Sequence, residues 1–167
     1  MDFKWIVVPL FIFAMPITFA NNASIKIEGR VLPAPCTVNG DTVKKTISFN
    51  QTEARSLSEA GTGGEWNKFS LELDDCPAYL NYAIATFSGT PDEDDPNMYK
   101  NNGDASNVAL QLADDTTTYG DGSSMTISID PVTHKGIFML SARMYTPKGN
   151  VGKGTFNSVV GVNFTYQ

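Results

Sequence analysis

Apolar and polar residues alternate along most of this chain, in short runs separated by turn-forming residues rather than at helical spacing. The final fourteen residues, Gly154 to Gln167, show it most clearly. From Phe156 the even positions are Phe156, Ser158, Val160, Val162, Phe164 and Tyr166, while the odd ones are Asn157, Val159, Gly161, Asn163 and Thr165. A period of two with one apolar face predicts a half-buried strand that runs to the last residue. A second alternating run, Ile25, Ile27, Gly29 and Val31, lies near the other end. Domains usually end in tails that fray at little cost, so core-type strand sequence at both ends suggests a chain that exchanges strands with other chains.

Between these ends the pattern predicts strands at Val43 to Phe49, Lys68 to Leu73, Leu80 to Phe87, Val108 to Leu112, Met125 to Ile129 and Gly136 to Met144. The inward faces read as Phe69/Leu71/Leu73, Val108/Leu110/Leu112, Met125/Ile127/Ile129 and Phe138/Leu140/Ala142/Met144. Turn signals fall between them at Asn39-Gly40, Gly61 to Gly64, Ser88 to Pro91, Asn102-Gly103, Tyr119 to Gly122 and Pro147 to Asn150. Thr52 to Ala60 offers one or two helical turns, which Gly61 would end. Several short strands at this spacing predict one all-β sandwich domain.

The first twenty residues stand apart. Residues 5 to 19, WIVVPLFIFAMPITF, are apolar, follow Lys4, and contain two prolines. Fifteen residues are short for a bilayer span but suit the apolar core of a secretory signal, with cleavage expected after Ala20. Removing 20 of the 167 residues leaves 147, the size of one domain. The net charge of −6, without a basic cluster, argues against nucleic acid as a partner. Ten phenylalanines, with 41% hydrophobic residues overall, supply a core. Two cysteines, Cys36 and Cys76, in an exported chain favour a disulfide.

Catalytic chemistry finds little to use. The single histidine, His134, sits in an expected turn, Pro131 to Gly136, with no second histidine to support a nucleophile. Gly149 to Thr155 (GNVGKGT) breaks the phosphate-loop pattern, because Pro147 stands where its first glycine is required and Gly154 follows the lysine; it reads as a hairpin loop before the last strand. Asp92 to Asp95 concentrates four carboxylates, but a calcium loop starting there would meet Asn97 and Gly103 where glycine and glutamate are needed. Trp66, Tyr79, Tyr82, Tyr99, Tyr119 and Tyr145 are the residues able to stack on a sugar. No metal or cofactor site emerges.

Together, the alternating segment SIKIEGRVLPAPCTV running into Cys36, Cys76 about forty residues later in LELDDCP, Gly154 fourteenth from the end and Tyr166 next to last resemble a family. That family is the pilin subunits of the chaperone–usher class, most closely the minor tip and adaptor subunits of type 1-like and P-like pili. The resemblance implies an incomplete immunoglobulin-like sandwich that lacks its last strand. It divides the chain into a signal peptide (1–20), an N-terminal donor-strand extension (21–35) and a pilin domain (36–167). It implies that a periplasmic chaperone first lends a strand to the groove, and that at the outer-membrane usher the extension of a neighbouring pilin replaces it. Ile25, Ile27, Gly29 and Val31 would form the donor strand, with Gly29 where the receiving groove admits no side chain. Gly154, Phe156, Val160, Val162, Phe164, Tyr166 and Gln167 would form the acceptor and chaperone-binding strand. Pro33 and Pro35 lack backbone donors, so strand addition is expected to finish near Leu32. The implied role is a structural component of a cell-surface fimbrium, acting in adhesion without enzymatic activity and meeting any host receptor only through the assembled pilus. The alternative is a single-domain adhesin that binds a host glycan or protein through Tyr99, Trp66 and the 92–95 loop.

Overall fold

A computed structural model describes residues 34–167; the leader and the donor segment Ile25, Ile27, Gly29 and Val31 lie outside them. Nine strands follow in chain order: β1 (Thr37–Val38), β2 (Thr62–Gly63), β3 (Asn67–Asp74), β4 (Tyr82–Gly89), β5 (Tyr99–Lys100), β6 (Ala109–Ala113), β7 (Ser124–Ser128), β8 (Gly136–Thr146) and β9 (Val160–Tyr166). They form two antiparallel sheets. The first has the order β1-β3-β8-β6-β5, with β2 on the far part of β8; the second has the order β7-β4-β9.

The alternation places the core between the sheets. Leu71 and Leu73 of β3, Phe138, Leu140 and Ala142 of β8, and Leu110 and Leu112 of β6 face Ala83, Ala85 and Phe87 of β4. Phe138 meets Phe164 of β9 across the sandwich, ring centroids 5.5 Å apart. Offset and tilted aromatic contacts of this kind add about 1 kcal/mol to the burial itself. The Cys36–Cys76 disulfide forms as expected and ties the start of β1 to the turn after β3. His134 packs on that turn: its backbone takes a positive φ of 55°, and its Nδ1 lies 3.1 Å from the Cys76 carbonyl.

Five expected strands correspond to β3, β4, β6, β7 and β8 within two residues at each end. Three expectations are corrected. Val43 ends a four-residue helix, α1 (Gly40–Val43), capped by Asn39, which lifts the chain away from β3, and residues 44–49 pair in no ladder among the described residues. The Asn39 side chain accepts from the Asp41 N–H and donates to Asp74, while Thr42 Oγ1 accepts the Glu72 N–H that the ladder would have used. The last strand begins its ladder only at Val160, six residues after Gly154. The loop from Gly149 to Thr155 is not a hairpin loop, since it joins β8 of one sheet to β9 of the other. The helical turn expected within Thr52 to Ala60 is a single 3₁₀ turn, Ala54–Leu57.

Candidate functional site

Strand β9 is an edge. Among the described residues its only ladder partner is β4, with Ala83 opposite Tyr166, Ala85 opposite Phe164, Phe87 opposite Val162 and Gly89 opposite Val160. Its two flanks differ in burial. Ala83, Ala85 and Phe87 are fully buried, yet Val160, Val162, Phe164 and Tyr166, which share their interior face, are each only half-buried. An inward side chain stays half wet when the element that should cover it is missing.

A cleft of about 710 Å³ accounts for the exposure. Val160, Val162 and Phe164 form one wall, and the unpaired segment from Val43 to Phe49 forms the other. The floor is the core itself: Phe69, Leu71, Phe87, Leu110, Leu112, Leu140 and Ala142. At the lower end Phe49 and Phe156 meet edge to face, with centroids 5.7 Å apart.

The main chain of β9 is equally incomplete. Gln167 and Tyr82 exchange both of their backbone hydrogen bonds. In an antiparallel pair such residues alternate with non-bonded ones, so the N–H and C=O groups of Tyr166, Phe164, Val162 and Val160 point to the open edge. Among the described residues, the apolar trough thus lies beside four strand residues whose outward main-chain groups have no ladder partner.

The residues expected to form this strand are not equivalent in the structure. Phe156, Val160, Val162 and Phe164 line the cleft. Tyr166 follows in line at its upper end, where burial raises the pKa of its hydroxyl. Gln167 is fixed through its main chain, whose carbonyl accepts from the N–H groups of Asn81 and Tyr82. Gly154 lies in the preceding loop instead, packed on another segment: a Cβ there would come within 2.3 Å of the Ala105 nitrogen. Reading the C-terminal pattern alone missed the opposite wall, Val43 to Phe49, although Ile47 and Phe49 carry the same alternation. It also missed the floor, whose residues are the inward faces of β3, β6 and β8.

The remaining candidates resolve into structural roles. Tyr99, one of the sugar-stacking candidates, is fully buried, and Tyr119 is buried against Phe87. The Asp92 to Asp95 loop is held by ion pairs from Lys100 to Glu93 and from Lys148 to Asp94. Trp66 is 40% exposed but covers the Arg143 guanidinium, 4.3 Å from its ring centroid, and Arg143 in turn donates to Gln111. Among the described residues no group of three His, Cys, Asp or Glu side chains is placed to hold a metal ion.

Among the described residues, this sandwich has an open apolar cleft along its final strand, β9. Comparison with known proteins gives its family and fold. The model of the family described as fimbrial protein matches residues 25–167. Protein FimG of Escherichia coli strain K12 is 33% identical over 148 residues, covering 88% of this chain and 86% of FimG. The P pilus rod subunit PapA superposes with a TM-score of 0.70 at 18% identity, over 80% of this chain and all of PapA. A subunit in the structure of a chaperone–usher pilus superposes with a TM-score of 0.69 at 20% identity, over 92% and 100%. The chain belongs to the fimbrial protein family and has the fold of chaperone–usher pilus subunits. It is a structural component of surface pili, not an enzyme.

Proposed function

We propose that the cleft is an acceptor for a donated strand, and that this subunit polymerises by donor-strand exchange between two neighbouring pilins. The carrying observation is the contrast across β9, whose inward residues stay half-buried above fully buried partners on β4. Residues 21–35 supply the reciprocal part: Ile25, Ile27, Gly29 and Val31 fill the groove of the next subunit. Burying the three branched side chains contributes about 5 to 9 kcal/mol, and main-chain bonds to four edge residues such as those of β9 add to it.

Before assembly, the same groove is covered by an edge strand of a periplasmic chaperone, and the exchange takes place at an outer-membrane usher. With one acceptor groove and one donor arm, the subunit would sit between two others, as a minor tip or adaptor component. Gly29→Trp tests the arm. It should leave this subunit's own unfolding curve unchanged and prevent its arm from entering the next groove. Normal incorporation of Gly29→Trp into fimbriae would contradict the assignment.

A further inference from the structure

The outer face of the first sheet, on the side away from the cleft, carries a cation without a counter-charge. Phe138, Leu140 and Ala142 of β8 turn into the core, so Arg143 and Tyr145 point outward. Ladder pairing sets Gln111 of β6 beside Arg143, and Gly63 of β2 beside Tyr145. Trp66 stands immediately before β3, on the other flank of β8.

These neighbours fix the Arg143 guanidinium. Trp66 covers it at 4.3 Å from the ring centroid, and the Tyr145 ring lies 5.5 Å away. Its Nε donates to the Gln111 Oε1 at 2.7 Å, and the Gln111 Nε2 donates in turn to the Thr118 Oγ1 at 3.1 Å. A Cβ on Gly63 would come within 2.6 Å of that Nε, so the absent side chain makes room for the fork. Aromatic faces attract and orient a guanidinium but do not neutralise it. Among the described residues the carboxylates in ion pairs meet Arg55, Lys68, Lys100, Lys135 or Lys148, never Arg143. Neither Nη of Arg143 donates to an acceptor among them. Burial pulls the pKa of the group down, as it does for a charge short of solvation.

Two parallel N–H donors on a planar fork match a carboxylate. The next cation on this face, Lys68, already faces Asp115 at 3.9 Å, so a doubly charged phosphate would find no second partner. Trp66 is still 40% exposed beside the fork, on an open sheet surface that suits a rigid ring better than a flexible side chain. A pyranose ring bearing a carboxylate supplies both parts.

We propose that Arg143 and Trp66 form a surface site for an acidic sugar, its carboxylate on the Arg143 Nη groups and its ring against Trp66. The test is an NMR titration of the purified, isotope-labelled subunit, following the Arg143 Nε–H and the Trp66 indole N–H. Sialyllactose and a glucuronate-terminated disaccharide are the acidic probes and distinguish the two sources of such a carboxylate; lactose and a blocked glutamate are the controls. At least one acidic sugar should shift both signals saturably, and the controls should not. Arg143→Lys keeps the charge but loses the fork. Read at the Trp66 indole, it should weaken binding about tenfold or more, the value of one charge-assisted hydrogen bond. Absence of saturable shifts with both acidic sugars would overturn the site. So would equal shifts from lactose or the blocked glutamate, or parental affinity in Arg143→Lys.

Discussion

Val162→Glu separates the cleft from the core. Val162 sits opposite buried Phe87 but opens into the 710 Å³ cleft, so a carboxylate there keeps its water while the groove is empty. The free subunit should lose on the order of 1 kcal/mol, the ordinary cost of a partly exposed substitution. A donated strand would seal that carboxylate against Leu140 and Leu112 with no partner. An unpaired buried charge costs several kcal/mol; about 4 kcal/mol corresponds to a loss of donor affinity of roughly a thousandfold. Thr165→Glu is the control, because Thr165 is exposed on the outer face of the same strand. Urea unfolding of the purified subunits and the content of sheared fimbriae read the two effects. Val162→Glu should unfold nearly like the parent and be missing from fimbriae, whereas Thr165→Glu should assemble. Parental incorporation of Val162→Glu would refute the reasoning, as would a loss of about 4 kcal/mol in the free subunit, which would mean the site is already sealed.

Two further outcomes concern the body of the domain. Replacing Cys36 and Cys76 by serine opens a loop with a sequence separation of 40 and should lower unfolding stability by about 4 kcal/mol, measured in guanidinium against the parent. Asp114 gives an acid limb: burial pushes its pKa up, but the Tyr119 hydroxyl and the N–H groups of Thr116 and Thr117 outweigh this and hold it at about 2. A carboxylate depressed in the folded state stabilises above its ordinary range, and that contribution is lost as pH falls from about 4 toward 2. Asp114→Asn should therefore flatten the decline in stability across that window, followed by urea titrations between pH 5 and 2.

Alternation made the sandwich legible because β3, β4 and β8 each bury one face, so Phe69 to Leu73 and Phe138 to Ala142 announce both the strand and its inner side. Leu110 and Leu112 on either side of Gln111 marked β6 as well, although all five of its residues are buried. Elements too short to show a period were harder to read. β5 is two residues held by pairing with β6, too short to leave any pattern. The four residues of α1 depend on a cap at Asn39 and a bond from Thr42 to β3, which are tertiary contacts. One wall of the cleft was visible in the alternation from Phe156 onward. The other was visible as strand-like sequence, but its lack of a ladder partner follows from what stands beside it.

Strand addition itself is tested most directly by supplying the strand. A copy of Ser24 to Leu32 attached after Gln167 through a short turn would run antiparallel to β9, into the cleft. Its branched side chains and the newly covered groove walls stabilise, while main-chain bonds offset the ordering of the added residues. A net gain of about 5 kcal/mol corresponds to a rise in Tm of roughly 15 to 20 °C for a domain of this size. The account predicts a rise of that order by calorimetry, together with slowed amide exchange at Val160, Val162, Phe164 and Tyr166. A Tm within about 3 °C of the parent, with those four amides still exchanging freely, would contradict it.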